Sequence, residues 1–156
     1  MILEIKNYPN PVLKRRSEEV KEITPEIKEL VLNMTETMVK NQGIGLAASQ
    51  IGELKRIIVS QTENGPRVFI NPEIIKKSKE TEIKEEGCLS FPELFLKIKR
   101  AKEIEVEFLN LSGEKIKIKT EGLLARVFQH EIDHLNGILF IDRLDFFQKL
   151  WRLLKS

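Results

Sequence analysis

His130-Glu131-Ile132-Asp133-His134 lies near the end of the chain, within an otherwise apolar segment. Residues four apart lie one turn apart on the same face of an α-helix, so the two histidines would point the same way. Two neutral imidazoles placed in this way can bind one metal ion, and the carboxylate between them can reach a water on that ion. The stretch therefore predicts a helix that carries part of a metal site.

The residues around this motif indicate which side of the helix faces the core. At about 100° per residue, a polar stripe that we expect to face solvent is formed by Arg126, Gln129, Asp133 and Asn136. The histidines and Glu131 fall among apolar residues on the other faces. Burial of a carboxylate beside two imidazoles costs free energy unless something compensates it, and a metal ion would do so. The alternative is that these three side chains hydrogen-bond only among themselves.

Composition and charge are those of a soluble globular protein. Apolar residues make up 41% and charged residues 32% of the 156 residues, and the net charge of +2 is too small to predict nucleic acid as the main ligand. We expect neither a membrane span nor a signal or transit segment. A single cysteine excludes an internal disulfide. We therefore expect one domain, residues 1–156, in a reducing cytoplasm.

The hydrophobic periodicity predicts an α+β fold, with an antiparallel β-sheet packed around the motif helix. Thr24-Pro25 should start an N-terminal helix that runs to about Asn41 and is ended by Gly43. Strands are predicted at 56–60 and 67–71, with a turn at 63–66 between them. Alternating Glu and apolar residues at 103–108, followed by Lys and Ile at 115–119, predict a hairpin in which Glu faces Lys.

The sequence also predicts the ends of the motif helix and a further helix at the C-terminus. The motif helix should be capped by Thr120 and should end at Asn136-Gly137, because glycine readily adopts a left-handed conformation. A short amphipathic helix is predicted from Asp145 to about Leu154. We expect one face of it to pack on the body of the domain, namely Phe146, Phe147, Leu150 and Leu154.

The third protein ligand must be Cys, Asp or Glu, because the chain has no other histidine. Cys88 lies in Glu86-Gly87-Cys88-Leu89-Ser90-Phe91-Pro92, which is not typical of a strand core. Together with the two imidazoles it would complete a three-ligand site with a fourth position open for water, as catalytic sites have. A lone cysteine can equally be a small buried apolar residue.

The segment from Gly43 to Gly52 is also unusual. Its first part fits G-x-G-x-x-A, but a dinucleotide-binding loop follows a strand and opens a helix, whereas this segment follows a predicted helix. We therefore expect close approach of the backbone to another group, with Gln50 either donating from its amide or serving as an ordinary loop residue.

Taken together, these three segments resemble the motifs of peptide deformylases. They match in order and spacing: Gly43-Ile44-Gly45-Leu46-Ala47-Ala48-Ser49-Gln50, Glu86-Gly87-Cys88-Leu89-Ser90 and Gln129-His130-Glu131-Ile132-Asp133-His134-Leu135. The resemblance covers most of the chain, up to residues 137–140. That family removes the formyl group from the initiator methionine of newly made bacterial and organellar proteins.

The resemblance implies a metal-dependent hydrolase acting on N-formylmethionyl nascent peptides. Cys88, His130 and His134 would bind one divalent ion, usually Fe²⁺, with Zn²⁺, Ni²⁺ or Co²⁺ as alternatives. Metal-bound hydroxide would attack the formyl carbon, with Glu131 as general base and then general acid. No DNA or membrane partner is expected.

The resemblance also implies how the substrate is held. The Gln50 amide and the Leu89 backbone N–H would stabilise the oxyanion. Exposed backbone at Gly45 and Gly87 would let the peptide lie alongside as an added strand. An apolar pocket would take the methionine side chain, and its candidate residues are Ile44, Leu123, Val127 and Phe128.

This chain departs from the family pattern after the cysteine motif. Many bacterial members carry arginine where this chain has Phe95, so contacts to the downstream peptide are undetermined. Lys149, Arg152 and Lys155 offer a transient ribosome contact, as C-terminal helices of some members do. The competing functions are a zinc endopeptidase and a non-catalytic module that binds formylated N-termini. The cysteine ligand argues against the first of these, and Glu131 and Gln50 argue against the second.

Overall fold

The computed structural model describes residues 1–155, without the side chains of residues 146, 147 and 155. Its helices and strands are α1 (Pro25–Lys40), β1 (Gly45–Ala47), β2 (Ile57–Thr62), β3 (Gly65–Lys77), β4 (Thr81–Cys88), β5 (Phe91–Ala101), β6 (Glu103–Leu109), β7 (Lys115–Glu121), α2 (Gly122–Leu135) and α3 (Phe146–Lys155). All pairings between these strands are antiparallel, so the predicted α+β class is confirmed. Within residues 1–155, no helix has the length and apolarity needed to cross a membrane.

Helix α1 begins where the sequence predicts. Thr24 caps it by accepting a hydrogen bond from the Ile27 N–H at 3.3 Å, and Pro25 occupies the first helical position. At the other end, Gln42 rather than Gly43 adopts the left-handed backbone conformation, with φ of 56°. The polypeptide then passes directly into β1, at one edge of the main sheet.

The main sheet contains five strands in the order β1-β2-β3-β6-β7 and lies between α1 and α2. Successive side chains of a strand point to opposite faces, so a strand between two layers is buried on both sides. On β2, Ile57 and Val59 pack in the core with α1, whereas Ile58 packs in the core with α2. The predicted β6–β7 hairpin is confirmed, with ion pairs between Lys115 and Glu107, Lys117 and Glu105, and Lys119 and Glu103.

Strands β4 and β5 form a separate two-stranded ribbon that the sequence did not predict. Thr81 to Glu86 is too rich in charge to show an apolar alternation. The inner face of the ribbon nevertheless buries Glu86, Leu96, Ile98 and Arg100. This face covers α2 on the side away from the sheet, and every residue from Ala125 to Leu135 is buried as a result.

The ribbon overturns the predicted orientation of α2. Arg126, Gln129 and Asp133, expected to face solvent, are buried because they hydrogen-bond to groups of the ribbon. Leu123 is 60% exposed because it lies in the first turn, ahead of the covered part of the helix. A polar stripe therefore marks contact with a polar partner here, not contact with solvent.

The predicted start of α2 is wrong, and its predicted end is confirmed. Thr120 is not the cap, because β7 continues through it to Glu121 and α2 starts at Gly122 without a side-chain cap. The C-terminal end is confirmed: Asn136 follows the last helical residue, and Gly137 has φ of 74°. A β-carbon at Gly137 would lie 2.8 Å from the Lys14 carbonyl carbon, so the glycine also permits a close approach of the N-terminal segment.

Helix α3 forms where the sequence predicts, but its apolar face is not covered as expected. Leu150 is 42% and Leu154 is 73% exposed. An apolar stripe predicts amphipathicity without specifying a surface to cover it, which explains the error. The side chains of Phe146 and Phe147, assigned to the same face, lie outside the described residues.

Candidate metal centre and active-site cavity

Three side chains with metal-ligating atoms meet where the ribbon contacts α2. One ligand atom from each of Cys88, His130 and His134 lies within 4.8 Å of the others. The two histidines lie one turn apart on α2, with ring centroids 5.0 Å apart, and Cys88 Sγ is 3.3 Å from His134 Nε2. Cys88 is the last residue of β4, immediately before the turn into β5. The fold thus joins residues that are distant in the sequence.

This donor set fits a divalent transition-metal ion. Imidazole nitrogen and thiolate sulfur are ligands that zinc and iron accept. His130 Nδ1 donates to Glu86 Oε1 at 2.8 Å, which leaves Nε2 as the nitrogen that can bind a metal ion. A carboxylate bonded to the far nitrogen of a ligating histidine is the usual support for such a ligand. His134 Nδ1 is buried and has no hydrogen-bond partner among residues 1–155.

Glu86 is held in place by two buried arginines. Arg100 bonds both of its oxygens, at 2.9 and 3.0 Å, and Arg126 bonds one of them at 2.6 Å. Burial alone would raise the pKa of Glu86, but hydrogen bonds and charges from His130 and Arg100 lower it to about 2. Glu86 is therefore a carboxylate at neutral pH, and it orients the His130 ring.

A second set of contacts fastens the same helix face to the ribbon and to the segment after α2. Asp133 accepts from Arg100 at 2.8 Å and from Arg143 at 2.7 and 2.9 Å. Gln129 bonds the backbone N–H and carbonyl of Ala101, both at 2.9 Å. Sequence reasoning missed the roles of Glu86 and Arg100, because their positions on a charged ribbon carry no pattern that distinguishes them from solvated residues.

Glu131 carries a buried carboxylate oxygen without a hydrogen-bond partner. Oε1 has no hydrogen-bond partner among the described side and main chains, and Glu131 lines the cavity. Burial raises its pKa to about 7, against the opposing effect of His130. Gly45 lets β1 lie close to α2, since a β-carbon at this position would lie 2.7 Å from both Glu131 Oε2 and Val127 Cγ1.

Gln50 is almost fully buried and its amide is held at both ends. Oε1 accepts from the Ala47 N–H at 2.9 Å, while Nε2 donates to Ser90 Oγ at 3.1 Å and to Cys88 Sγ at 3.5 Å. The amide N–H therefore faces the thiol. Leu89 follows Cys88 directly in the β4–β5 turn, and its side chain packs against Gly43.

These groups open into a cavity of about 480 Å³. It is lined by Gln50, Cys88, Leu89, His130 and Glu131, and also by five residues predicted to contact substrate: Ile44, Gly45, Gly87, Leu123 and Val127. The remaining candidate, Phe128, was wrongly predicted to line the pocket. It is 1% exposed and stacks edge-on against Phe69, because it points from α2 into the core beneath the sheet.

Several known proteins resemble this chain in sequence. The sequence matches polypeptide deformylase over residues 2–149. The peptide deformylase of Thermotoga neapolitana is 48% identical over 140 residues, which cover 90% of this chain and 85% of the relative. That of Desulforudis audaxviator is 46% identical over 143 residues, with 91% and 93% covered.

Solved structures of peptide deformylases have the same fold as this chain. The crystal structure of peptide deformylase from Thermotoga maritima has a TM-score of 0.91 at 46% identity and covers 93% of this chain and 99% of its own. The enzyme from Synechococcus elongatus, in complex with actinonin, has a TM-score of 0.91 at 38% identity, with 98% and 84% covered. The chain therefore belongs to the polypeptide deformylase family.

Proposed function

We propose that this protein is a metal-dependent peptide deformylase, which hydrolyses the formyl group from N-formylmethionyl nascent peptides and releases formate. The observation that carries the proposal is the convergence of Cys88, His130 and His134 beside Glu131, in a cavity of a chain that belongs to this family. We propose a single catalytic domain, residues 1–156, acting in the cytoplasm.

Cys88 Sγ, His130 Nε2 and His134 Nε2 would hold the ion. A divalent ion with three protein ligands supplies a Lewis acid that brings the pKa of a water toward neutrality. The donor set alone suits Fe²⁺, Zn²⁺, Ni²⁺ and Co²⁺. We propose Fe²⁺ because of the family resemblance. Glu86 supports ligation by fixing the His130 ring, and Arg100 and Arg126 hold its carboxylate in place.

Glu131 would carry the proton. Its carboxylate would accept a proton from the attacking water and later donate it to the amine that leaves. A carboxyl group with a pKa of about 7 is suited to both steps near neutral pH, because it is populated in both protonation states. The burial that raises this pKa also excludes bulk water from the carboxylate.

The oxyanion would be stabilised by Gln50 Nε2 and the backbone N–H of Leu89. Donors stabilise developing charge best when they are already in place before the reaction. Gln50 meets this condition because the Ala47 N–H and Ser90 Oγ fix its amide at both ends.

The substrate would bind as an extra strand. β1 is an edge strand of the main sheet, so its outer side offers unpaired backbone groups beside Gly45. Gly87 lies across the cavity on β4, and the methionine side chain would enter between Ile44, Leu123 and Val127.

We also propose a transient ribosome contact through the exposed Lys149 and Arg152 of α3. The side chain of Lys155, which was expected to take part, lies outside the described residues.

Measurement of formate release distinguishes a deformylase from an endopeptidase and from a non-catalytic binding module. Protein reloaded anaerobically with Fe²⁺ or Ni²⁺ should release formate from formyl-Met-Ala-Ser and leave acetyl-Met-Ala-Ser intact. Cleavage of internal bonds in an unformylated protein would instead indicate an endopeptidase. Tight binding of the formyl peptide without formate would indicate a non-catalytic module.

A further inference from the structure

An unbroken series of charged hydrogen bonds runs from the segment after α2 to the proposed metal centre. Arg143, in the short helical turn that follows α2, donates to Asp133 at 2.7 and 2.9 Å. Asp133 also accepts from Arg100 at 2.8 Å, and Arg100 donates to both oxygens of Glu86 at 2.9 and 3.0 Å. Glu86 in turn accepts from His130 Nδ1 at 2.8 Å. We call Arg143, Asp133, Arg100 and Glu86 the support network.

Arg143 is the member of the support network that reaches the surface. Its side chain is 41% exposed, whereas Arg100 is 4% and Glu86 and Asp133 are each 7% exposed. Among the described residues, Arg143 Nη2 is the one donor to Asp133 Oδ1. Arg143 does not line the cavity. It can therefore be replaced without changing the wall of the cavity, while one carboxylate oxygen of Asp133 loses its partner.

The guanidinium of Arg100 connects the two carboxylates of the network rigidly. Its Nη1 bonds Asp133 and its Nε and Nη2 bond Glu86, and these donors are fixed in one plane. Asp133 Oδ2 accepts from Arg100 and also from Arg143 Nε, so both arginines set the orientation of this carboxylate. Without Arg143, the Asp133 carboxylate is free to turn toward Arg100. A displacement of Arg100 then moves Glu86, which orients the His130 ring.

We propose that Arg143 is a positioning residue for the metal ligand His130, on which it acts through the other members of the support network. The proposal rests on the metal site of the proposed function. A carboxylate that orients a ligating histidine depends in turn on the groups that hold it, and Arg143 is the last of these groups. It extends the support of the metal site to the segment after α2.

The direction of the change in metal affinity separates positioning from simple charge. Removal of a cation near the site would by itself strengthen the binding of a metal ion, because like charges repel. Loss of the orientation of His130 weakens that binding instead. A lower metal affinity in a variant that lacks the Arg143 charge is therefore evidence of positioning.

The test measures Zn²⁺ affinity of the metal-free protein by competition with a chelating dye. Arg143→Ala should weaken binding by about three- to tenfold. Arg143→Lys keeps a donor for Asp133 and should recover most of the loss. Arg56→Ala is the matched control, because Arg56 is a half-buried arginine that donates to the Leu135 carbonyl and to Asn136 Oδ1, both at 3.0 Å. It too removes a cation that bonds α2, but outside the support network, so affinity should stay at the native level.

A double-mutant cycle shows whether Arg143 acts through Glu86. In the Glu86→Gln background, Arg143→Ala should change Zn²⁺ affinity less than about twofold. Fully additive losses would overturn the proposal. So would a native or higher affinity of Arg143→Ala, or equal losses for Arg143→Ala and Arg56→Ala at comparable thermal midpoints.

The metal site and the deformylase function are tested apart from this role of Arg143. Native protein that binds no Zn²⁺ would contradict the metal site and the positioning proposal with it. The affinities are measured without substrate, so formate release by the native protein loaded with Fe²⁺ tests the function separately.

Discussion

Glu86 Oε1 lies 2.8 Å from His130 Nδ1, so a carboxylate on the ribbon orients one of the proposed metal ligands on α2. Glu86→Gln removes the charge but keeps the shape, and leaves Arg100 and Arg126 without their carboxylate. We expect metal affinity to fall by about 10- to 100-fold. Competition with a chelating dye measures it. Glu85→Gln, at the exposed neighbouring position, is the control, and equal affinities of the two variants would argue against the orienting role.

Glu131→Gln should separate metal binding from turnover. The amide keeps the size of the side chain but cannot accept a proton, so kcat should fall by about 10²- to 10⁴-fold. Metal content, measured by elemental analysis, should stay at the native level because Glu131 is not among the three proposed ligands. A variant with native kcat would remove Glu131 from the mechanism, and one that binds no metal would make it a ligand.

Gly45→Ala should impair activity more than stability. The added methyl would lie 2.7 Å from Glu131 Oε2 and Val127 Cγ1, so Glu131 must move or β1 must shift. We expect kcat/KM to fall by about 10²-fold, because small misplacements of a catalytic group are costly. The thermal midpoint serves as the check on folding. Native kcat/KM in a folded variant would show that the position of Glu131 is not set by β1.

The buried contacts of Glu86 with Arg100 and His130 should make the stability of the metal-free protein sensitive to acid. A pKa lowered from 4.5 to about 2 means that Glu86 stabilises the fold above pH 4.5, and that this contribution is lost as pH falls toward 2. The contribution is on the order of 3 kcal/mol. Urea unfolding at several pH values should give a steeper loss of stability for the native protein than for Glu86→Gln. Parallel curves would contradict the assigned pKa.

Local patterns in the sequence were sufficient to predict much of the fold. The Thr24-Pro25 cap, the Gly137 end of α2 and the Glu–Lys hairpin depend on residues close together in the chain, so sequence alone identifies them. Four of the five strands of the main sheet were predicted, whereas β1 lies in a segment that was interpreted as a loop. The grouping of Cys88 with the two histidines was predictable from residue chemistry, since the chain has few other soft ligands.

The ribbon could not be predicted, and two further errors depended on α2's surroundings. Arg126 and Asp133 look like solvent-facing residues until the ribbon brings Glu86 and Arg100 against them. Phe128 follows Val127 directly, and a 100° step on a helix was enough to move it from the cavity into the core. Pairing between distant polar residues leaves no local period in the sequence.

The central claim is that one metal ion, held by Cys88, His130 and His134, supports deformylation. Metal-free protein should be titrated anaerobically with Fe²⁺ while formate release from formyl-Met-Ala-Ser is recorded. We expect activity to rise linearly and to reach a plateau at one equivalent of metal. Activity without metal, or no activity at saturation, would contradict it.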